Sequence, residues 1–252
     1  MIGIFDSGIG GLSVFREIRK VLPEQSYVYY SDNAHCPYGE KTREYIIERA
    51  RAITRFLLDK GCEIIVVACN TATAAAIATL REEFQIKFIG MEPAIKPAAQ
   101  ATKTGVVGVL ATAGTLIARK YIDTRARWAE NVRIVEHIGQ GFVELVEKGI
   151  TTGPDAESTV RTSLIPLLDA GADMIVLGCT HYPFLSETIS KVASEAYPER
   201  NIEIIDPAPA VARHLIEVMV EEGVQTASKE GFHIELHASG DSATLLATYN
   251  RL

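Results

Sequence analysis

Two cysteines in matching surroundings are the side chains best suited to chemistry in this sequence. Cys69 and Cys179 each end an apolar run that starts eight residues earlier at a glycine, Gly61 or Gly171, with an acidic residue two positions after that glycine. A thiolate can remove a proton from one face of a carbon while a second thiol donates a proton to the opposite face. If both cysteines approach one cleft from opposite sides, we expect a proton transfer that inverts the configuration of that carbon.

Other polar side chains follow the predicted strands at the same kind of position. Ligands of open parallel sheets bind beyond the carboxyl ends of the strands, so these side chains are candidate site residues. The clusters are Asp6-Ser7-Gly8, Ser31-Asp32, Cys69-Asn70-Thr71 and Cys179-Thr180-His181. Each has a structural alternative, since Asn and Thr cap helices, Asp ends strands in turns, and a buried His is often only hydrogen-bonded. Capping and function are compatible, because a helix N-terminus also stabilises a thiolate and receives a carboxylate.

Two loops carry further candidates. The glycine-rich stretch 6–11 lacks the last glycine of the dinucleotide-binding pattern, where Ser13 stands, and the Gly-Lys-Ser/Thr of a phosphate loop. We expect a tight turn whose N–H groups and Ser7 meet a small carboxylate. Pro37-Tyr38-Gly39 is either a surface turn or a cover over the site to which Tyr38 contributes its ring or hydroxyl. Cys36 beside it is expected to be incidental.

The elements that position these residues alternate between short apolar runs and longer helical patterns. The predicted strands are Ile2–Asp6, Ser26–Ser31, Glu63–Ala68, Lys87–Gly90, Gly105–Leu110, Val132–Glu136, Asp173–Leu177, Ile202–Ile205 and Gly231–His237. The clearest predicted helices are Gly11–Leu22, Thr42–Lys60 and Thr71–Phe84. Continuous apolar strands separated by helices indicate parallel sheets covered on both faces, and therefore an α/β fold.

The chain also repeats itself. The two cysteine segments are 110 residues apart, and the segment that starts at Ile2 has a weaker echo 105 residues later at Val107. Similar offsets indicate two homologous α/β halves. Pro-containing segments at 91–94 and 206–209 separate them, since Pro interrupts helix and strand alike. We expect domains at 1–93 plus 209–252 and at 94–208, because the tail is too small to stand alone and returns to complete the first half.

Composition excludes several classes of protein. Among 252 residues, 32 acidic against 25 basic side chains give a net charge of −7, which argues against nucleic-acid binding. The strongest apolar run ends at Asn70, far short of the roughly 20 residues that span a bilayer, and Asp6 interrupts any signal peptide. We therefore expect no membrane association, a cytoplasmic location and reduced thiols. No two cysteines have C-x-x-C spacing, which removes support for a zinc site.

Four motifs together resemble a known family. In chain order they are Asp6-Ser7-Gly8-Ile9-Gly10-Gly11-Leu12-Ser13, Pro37-Tyr38-Gly39, Ala68-Cys69-Asn70-Thr71-Ala72 and Gly178-Cys179-Thr180-His181-Tyr182-Pro183. The sequence resembles the glutamate racemases of the cofactor-independent aspartate/glutamate racemase superfamily over nearly its whole length. The aspartate branch resembles it less, because that branch typically has Glu where this chain has His181.

The resemblance implies two pseudo-symmetric α/β domains with the active site in the cleft between them, no cofactor and no metal. It implies that Cys69 and Cys179 exchange acid and base roles, assisted by Asp6 and His181 respectively. It implies a substrate site lined by Asp6, Ser7, Tyr38, Gly39, Asn70, Thr71, Thr180, His181 and Glu147. Before the segment of Glu147 the family usually has Cys-Pro, whereas this chain has Gln140-Gly141. The implied reaction interconverts L- and D-glutamate for peptidoglycan synthesis, in a chain expected to form a homodimer.

Two other function classes stay open at this point. A cysteine-nucleophile hydrolase would pair Cys179 with His181, although its phosphatase form needs Arg where Leu185 stands. Such an enzyme would form a covalent intermediate at one cysteine and leave the other without a role. An intracellular amino-acid-binding protein would bind tightly without exchanging the Cα proton.

Overall fold

The computed structural model describes residues 1–225, 227 and 231–252. The predicted segment 209–252 therefore includes four positions, 226 and 228–230, that lie outside the described residues. The chain forms two compact units, Met1–Met91 with Ala208–Leu252 and Glu92–Pro207.

The helices and strands alternate as the apolar pattern predicts. In chain order they are β1 (Ile2–Asp6), α1 (Leu12–Val21), β2 (Ser26–Ser31), α2 (Arg43–Asp59), β3 (Ile64–Val67), α3 (Asn70–Glu83), β4 (Lys87–Ile89), α4 (Ile95–Ala101), β5 (Val106–Ala111), α5 (Ala113–Leu116), α6 (Arg119–Trp128), β6 (Arg133–Ile138), α7 (Phe142–Glu147), α8 (Pro154–Asp169), β7 (Met174–Gly178), α9 (Ser186–Ala196), β8 (Glu203–Ile205), α10 (Ala208–Glu221), β9 (His233–Ala238) and α11 (Ala243–Tyr249). Short 3-10 turns lie at Asn33–His35, Tyr38–Glu40 and Tyr182–Leu185.

The first unit is built on a parallel sheet in the order β4-β3-β1-β2-β9. Every residue of β1 and β3 is buried, because helices cover both faces. The register places Asp6 opposite Ser31, so the polar residues that end β1 and β2 lie side by side. The C-terminal strand β9 adds to β2 at the edge of this sheet.

Helix α2 shows how the local sequence sets one covering layer. It starts after Thr42, whose side chain accepts a hydrogen bond from the N–H of Tyr45 and so caps the helix. Its buried stripe includes Ile46, Ile53 and Leu57, at the spacing that keeps apolar residues on one face of a helix. The stripe packs into the same buried cluster as the β3 side chains, which holds the helix on the sheet.

The second unit repeats the strand order of the first. Its parallel sheet runs β6-β5-β7-β8, which corresponds strand for strand to β2-β1-β3-β4. Cys69 follows β3 and Cys179 follows β7, so the two cysteines stand at equivalent places in the two sheets. The predicted parallel α/β class in two halves is confirmed. Within the part of the chain described, we find no helix with the length and apolarity needed to traverse a bilayer.

Candidate active site

In the first unit, the Cys69 sulfur lies at the start of α3. Cys69 is the N-cap residue, and its Sγ accepts a hydrogen bond from the N–H of Ala72 at 3.4 Å. The side chain is buried, with 5% of its surface exposed. Donation from a helix N-terminus stabilises negative charge on sulfur, so this position favours a thiolate.

Asp6 and Ser7 extend this arrangement from the end of β1. The Cys69 Sγ lies 3.8 Å from Ser7 Oγ, and the Ser7 hydroxyl donates to Asp6 Oδ1 at 3.4 Å. The other carboxylate oxygen of the fully buried Asp6 accepts the Gly11 N–H at 2.7 Å. The Gly11 N–H of the glycine-rich turn therefore binds the Asp6 carboxylate of the same turn. We had expected the N–H groups of this turn to bind a small carboxylate from outside the protein.

Asn70 and Thr71 occupy the first turn of α3 and are both buried. Within the described residues, neither polar atom of the Asn70 amide has a hydrogen-bond partner. The interpretation of Asn70 as a helix cap is therefore wrong, because the Cys69 sulfur occupies that role. A buried amide without partners is rare and costly in a folded protein, which makes Asn70 a candidate for binding a polar ligand.

Tyr38 is buried rather than part of a surface turn, with 1% of its surface exposed. Its hydroxyl donates to Asp32 Oδ2 at 2.5 Å. Burial, followed by the negative charge of Asp32, raises the pKa of Tyr38 well above its ordinary value, so the phenol stays protonated. Gly39 follows in the same 3-10 turn, and the neighbouring Cys36 is half-buried.

Arg49 on α2 completes this group and is a residue that the sequence interpretation missed. Its Nε and Nη2 donate to the two oxygens of Asp32 at 2.9 and 2.8 Å. Burial alone would raise the pKa of Asp32, but hydrogen bonds from Arg49 and Tyr38 hold that pKa below its ordinary value. Arg49 stands three residues after the buried Ile46, on the apolar stripe of α2. A charged residue within an apolar stripe is the sequence signal that could have identified Arg49.

In the second unit, Cys179 begins a hydrogen-bonded line of three side chains. Its Sγ lies 3.7 Å from His181 Nδ1, and His181 Nε2 lies 2.6 Å from Glu147 Oε1. An ionised carboxylate only accepts, so Nε2 carries a proton and donates it to Glu147. Nδ1 is then the nitrogen without a proton, and it is the one that faces the Cys179 sulfur. The structure thus brings Glu147, at the end of α7, to His181.

The turn after β7 is fixed by a buried aromatic pair. Tyr182 packs edge-on against Phe142 with ring centroids 4.9 Å apart, and its hydroxyl donates to the Gly139 carbonyl at 3.4 Å. Burial, followed by the negative charges of Cys179 and Glu144, raises the pKa of Tyr182. Thr180, between Cys179 and His181, is buried as well.

Comparisons with known proteins agree with these motifs. A family model described as Asp/Glu/Hydantoin racemase matches residues 3–215. A glutamate racemase of Methylococcus capsulatus is 49% identical over 225 residues, which are 89% of this chain and 81% of that protein.

Solved structures give the same assignment. Escherichia coli glutamate racemase in complex with L-glutamate and the activator UDP-MurNAc-Ala matches with a TM-score of 0.86 and 35% identity, over 99% of this chain and 94% of that chain. Francisella tularensis glutamate racemase in complex with D-glutamate matches with a TM-score of 0.83 and 27% identity, over 99% and 92%. This chain belongs to the Asp/Glu/Hydantoin racemase family of isomerases and, within it, to the glutamate racemases.

Proposed function

We propose that this protein interconverts L- and D-glutamate by moving protons to and from Cα with two cysteines. Cys69 and Cys179 address opposite faces of that carbon in a cleft between the two units. The observation that carries the proposal is that in each unit a thiol, with its own hydrogen-bonding partners, directly follows the equivalent strand of the sheet. The complexes of the E. coli and F. tularensis relatives with the two glutamate enantiomers support the substrate.

On the Cys179 side, the thiol becomes a base by passing its proton to a neighbouring imidazole. His181 Nδ1 takes the thiol proton, and the Glu147 carboxylate stabilises the resulting imidazolium. The thiolate then removes the Cα proton of one enantiomer and becomes a thiol, while the Cys69 thiol donates its proton to the other face of Cα. The opposite enantiomer uses the same groups with the two roles exchanged.

The Cys69 side stabilises its thiolate differently. The Ala72 N–H donates directly to the sulfur, and Ser7 with Asp6 provides a hydrogen-bonded path for the thiol proton. No imidazole is needed here, because the helix N-terminus already favours negative charge.

The carbanion formed at Cα needs electrostatic stabilisation, since the Cα–H of an amino acid is a very weak acid. The Asn70 amide, which has no hydrogen-bond partner among the described residues, and the hydroxyls of Thr71 and Thr180 are the donors we assign to the substrate carboxylates. Ser7 lines the site beside them with its hydroxyl proton directed to Asp6. We also assign Tyr38 and Gly39 to the lining of the substrate site, on the Cys69 side. Donors held in place before the reaction stabilise developing charge without reorganisation, and exclusion of water from the cleft strengthens them.

The product defines the biological role that we propose. D-glutamate is a component of peptidoglycan, so the enzyme supplies a precursor of the cell wall and works in the cytoplasm. We further propose a homodimer, since two-fold assemblies are the commonest oligomers. Nucleic acid is not a partner in this proposal, in keeping with the net charge of −7.

The test is to follow optical activity or chiral chromatography of L-glutamate with the purified protein and no added cofactor. Racemisation is expected in the wild type and severe loss in Cys69→Ser and Cys179→Ser. Cys62→Ala, at a buried cysteine outside the proposed site, is the matched control and keeps activity. Full activity in both directions from either serine variant contradicts the two-cysteine reaction.

A solvent-deuterium experiment separates the remaining alternatives. In the proposed reaction, deuterium enters the product at Cα early while the recovered substrate stays unlabelled. Early labelling of the substrate indicates a single base. The line Cys179–His181–Glu147 also suits a nucleophilic hydrolase, which would instead be trapped as a covalent adduct on Cys179. Tight binding without labelling indicates a binding protein.

A further inference from the structure

Asp32 is a fully buried carboxylate that three separate parts of the first unit hold in place. Arg49 of α2 donates two hydrogen bonds to it, one to each oxygen. Tyr38 donates its phenolic proton, and Ser239 of the segment after β9 donates its hydroxyl proton. A buried carboxylate is stable only when such partners compensate it, so the arrangement depends on all of them.

The Tyr38 end of this group lies next to Cys69. Both side chains belong to one buried cluster with Ala72, the residue whose N–H donates to the sulfur. The negative charge of Cys69 contributes to the raised pKa of Tyr38, after burial and Asp32. The phenol and the thiol therefore influence each other electrostatically.

The segment that carries Tyr38 is also tied to the C-terminal tail. Ser239 Oγ accepts the Ala34 N–H at 3.1 Å, and the Gly240 N–H donates to Asn33 Oδ1 at 2.8 Å. The Asn33 amide returns a hydrogen bond to the Asp241 carbonyl at 2.5 Å. The tail thus fixes the start of the segment, and the contact between Tyr38 and Asp32 fixes its far end.

We propose that Arg49 is a positioning residue of the reaction, which acts through Asp32 to hold Tyr38 and to balance negative charge beside Cys69. The role for catalysis rests on the proposed function, in which Cys69 is one of the two bases. Arg49 is the cation that pairs with Asp32. Among the described residues, the ionisable side chains that interact with this group include Tyr30, Tyr38 and Cys69, and Asp6 reaches Cys69 through Ser7.

Removing the cation has a defined electrostatic consequence. In Arg49→Gln, the Asp32 carboxylate loses its compensating charge and the two hydrogen bonds that hold both of its oxygens. The uncompensated charge opposes ionisation of the nearby Cys69 thiol. Because of this repulsion between the Asp32 carboxylate and the Cys69 thiolate, the pH at which Cys69 becomes reactive is expected to rise by roughly half to one unit. Tyr38 also loses its fixed position, so KM for both glutamate enantiomers rises.

The experiment measures the rate of alkylation of each cysteine against pH, by iodoacetamide labelling and peptide mass spectrometry. Cys179 serves as the internal reference and keeps its wild-type midpoint in every variant. Arg51→Gln is the matched control, because Arg51 lies on the same helix, is exposed to the same degree (25% against 24%) and pairs with Glu48 and Glu83 instead. The midpoint of Cys69 is expected to rise in Arg49→Gln and to stay unchanged in Arg51→Gln.

Two further variants make the result decisive. The double variant Asp32→Asn with Arg49→Gln removes both charges and is expected to return the Cys69 midpoint to the wild-type value. Arg49→Lys keeps the charge without the two-point contact, so the Cys69 midpoint is expected to stay unchanged and KM to rise. This variant replaces Arg49→Gln as the test if Arg49→Gln fails to fold. A wild-type KM in Arg49→Lys, equal midpoints in Arg49→Gln and Arg51→Gln, or no restoration in the double variant overturns the proposal. Alkylation is read without turnover, so a wild type that fails to racemise glutamate contradicts the proposed function and leaves this test intact.

Discussion

A methyl group at Gly11 is expected to destabilise the first unit although the backbone there accepts it. Gly11 has φ −60° and ψ −13°, an ordinary helical conformation. By itself, Gly→Ala at such a position stabilises a protein by about 0.4–1 kcal/mol, because it restricts the unfolded chain. At Gly11 the lack of space for the added methyl group makes the substitution destabilising instead. The added Cβ would lie 2.7 Å from the Asp6 Cβ, 2.8 Å from the Tyr29 hydroxyl and 3.2 Å from the Ala68 Cβ.

The size of the effect follows from what has to move. The Asp6 and Ala68 contacts are with Cβ atoms, which cannot swing away without the backbone, and overpacking of this kind costs about 1–3 kcal/mol. Displacing Asp6 also weakens the hydrogen bond of 2.7 Å that it accepts from the Gly11 N–H. A bond to a charged group contributes about 1.5–3 kcal/mol. After the backbone gain is subtracted, Gly11→Ala lowers the free energy of unfolding by roughly 2–5 kcal/mol.

The assay is thermal and urea unfolding followed by circular dichroism, together with racemase activity. The expected fall in Tm is roughly 5–15 °C, and activity falls because Asp6 moves relative to Ser7. Gly149→Ala is the control, since nothing lies within 4 Å of its added Cβ and only its positive φ of 72° is unfavourable. That variant loses about 1–2 kcal/mol. A Tm of Gly11→Ala at or above the wild-type value refutes the reasoning.

Three further outcomes follow from the contacts described. Glu147→Gln weakens the bond to His181 and is expected to lower kcat by about tenfold to a hundredfold with an unchanged melting curve. Burial would raise the pKa of Asp173, but hydrogen bonds from Thr102–Thr104 hold it below its ordinary 3.8. Its contribution to stability is therefore present above that pH and lost as pH falls through the folded pKa, so Asp173→Asn is less stable at neutral pH and loses less stability below about pH 4 in urea titrations. Burial raises the pKa of Cys62 to about 12, so native protein at pH 8 should show no alkylation of Cys62 by mass spectrometry.

The fold was predictable because its signals are local. β1 and β2 have the predicted bounds, since each is an apolar run that ends in a polar residue at the sheet edge. The ends of other elements depend on contacts that a local pattern does not contain. β6 runs to Ile138, two residues beyond the prediction, because its pairing with β5 continues to Ala111. Strand length there is set by the neighbour rather than by the strand's own residues.

The candidate site also has a part that the local sequence predicts and a part that it does not. The positions of Cys69 and Cys179 follow from strand ends, which the sequence marks clearly. The partners do not, since Asp32 and Arg49 are 17 residues apart and Glu147 and His181 are 34 apart, and only packing brings them together. The alternative interpretation of Asn70 as the cap of α3 is wrong for another reason. The Cys69 sulfur has the capping role that Asn usually has, and among the described residues the Asn70 amide has no hydrogen-bond partner.

The same strand order in both units carries unlike chemistry at equivalent ends, and the proposed reaction explains why. Cys69 has a helix N–H and a hydroxyl, whereas Cys179 has an imidazole and a carboxylate. A chiral substrate offers two faces that no symmetry of the fold relates, so nothing requires the two thiols to be supported alike. Because the enantiomers have equal free energy, kcat/KM must be the same in both directions whatever the difference between the thiols. The asymmetry can therefore appear only in kcat and KM taken separately. A variant on one side that changes kcat in one direction must either change KM there in proportion or change kcat/KM equally in both directions.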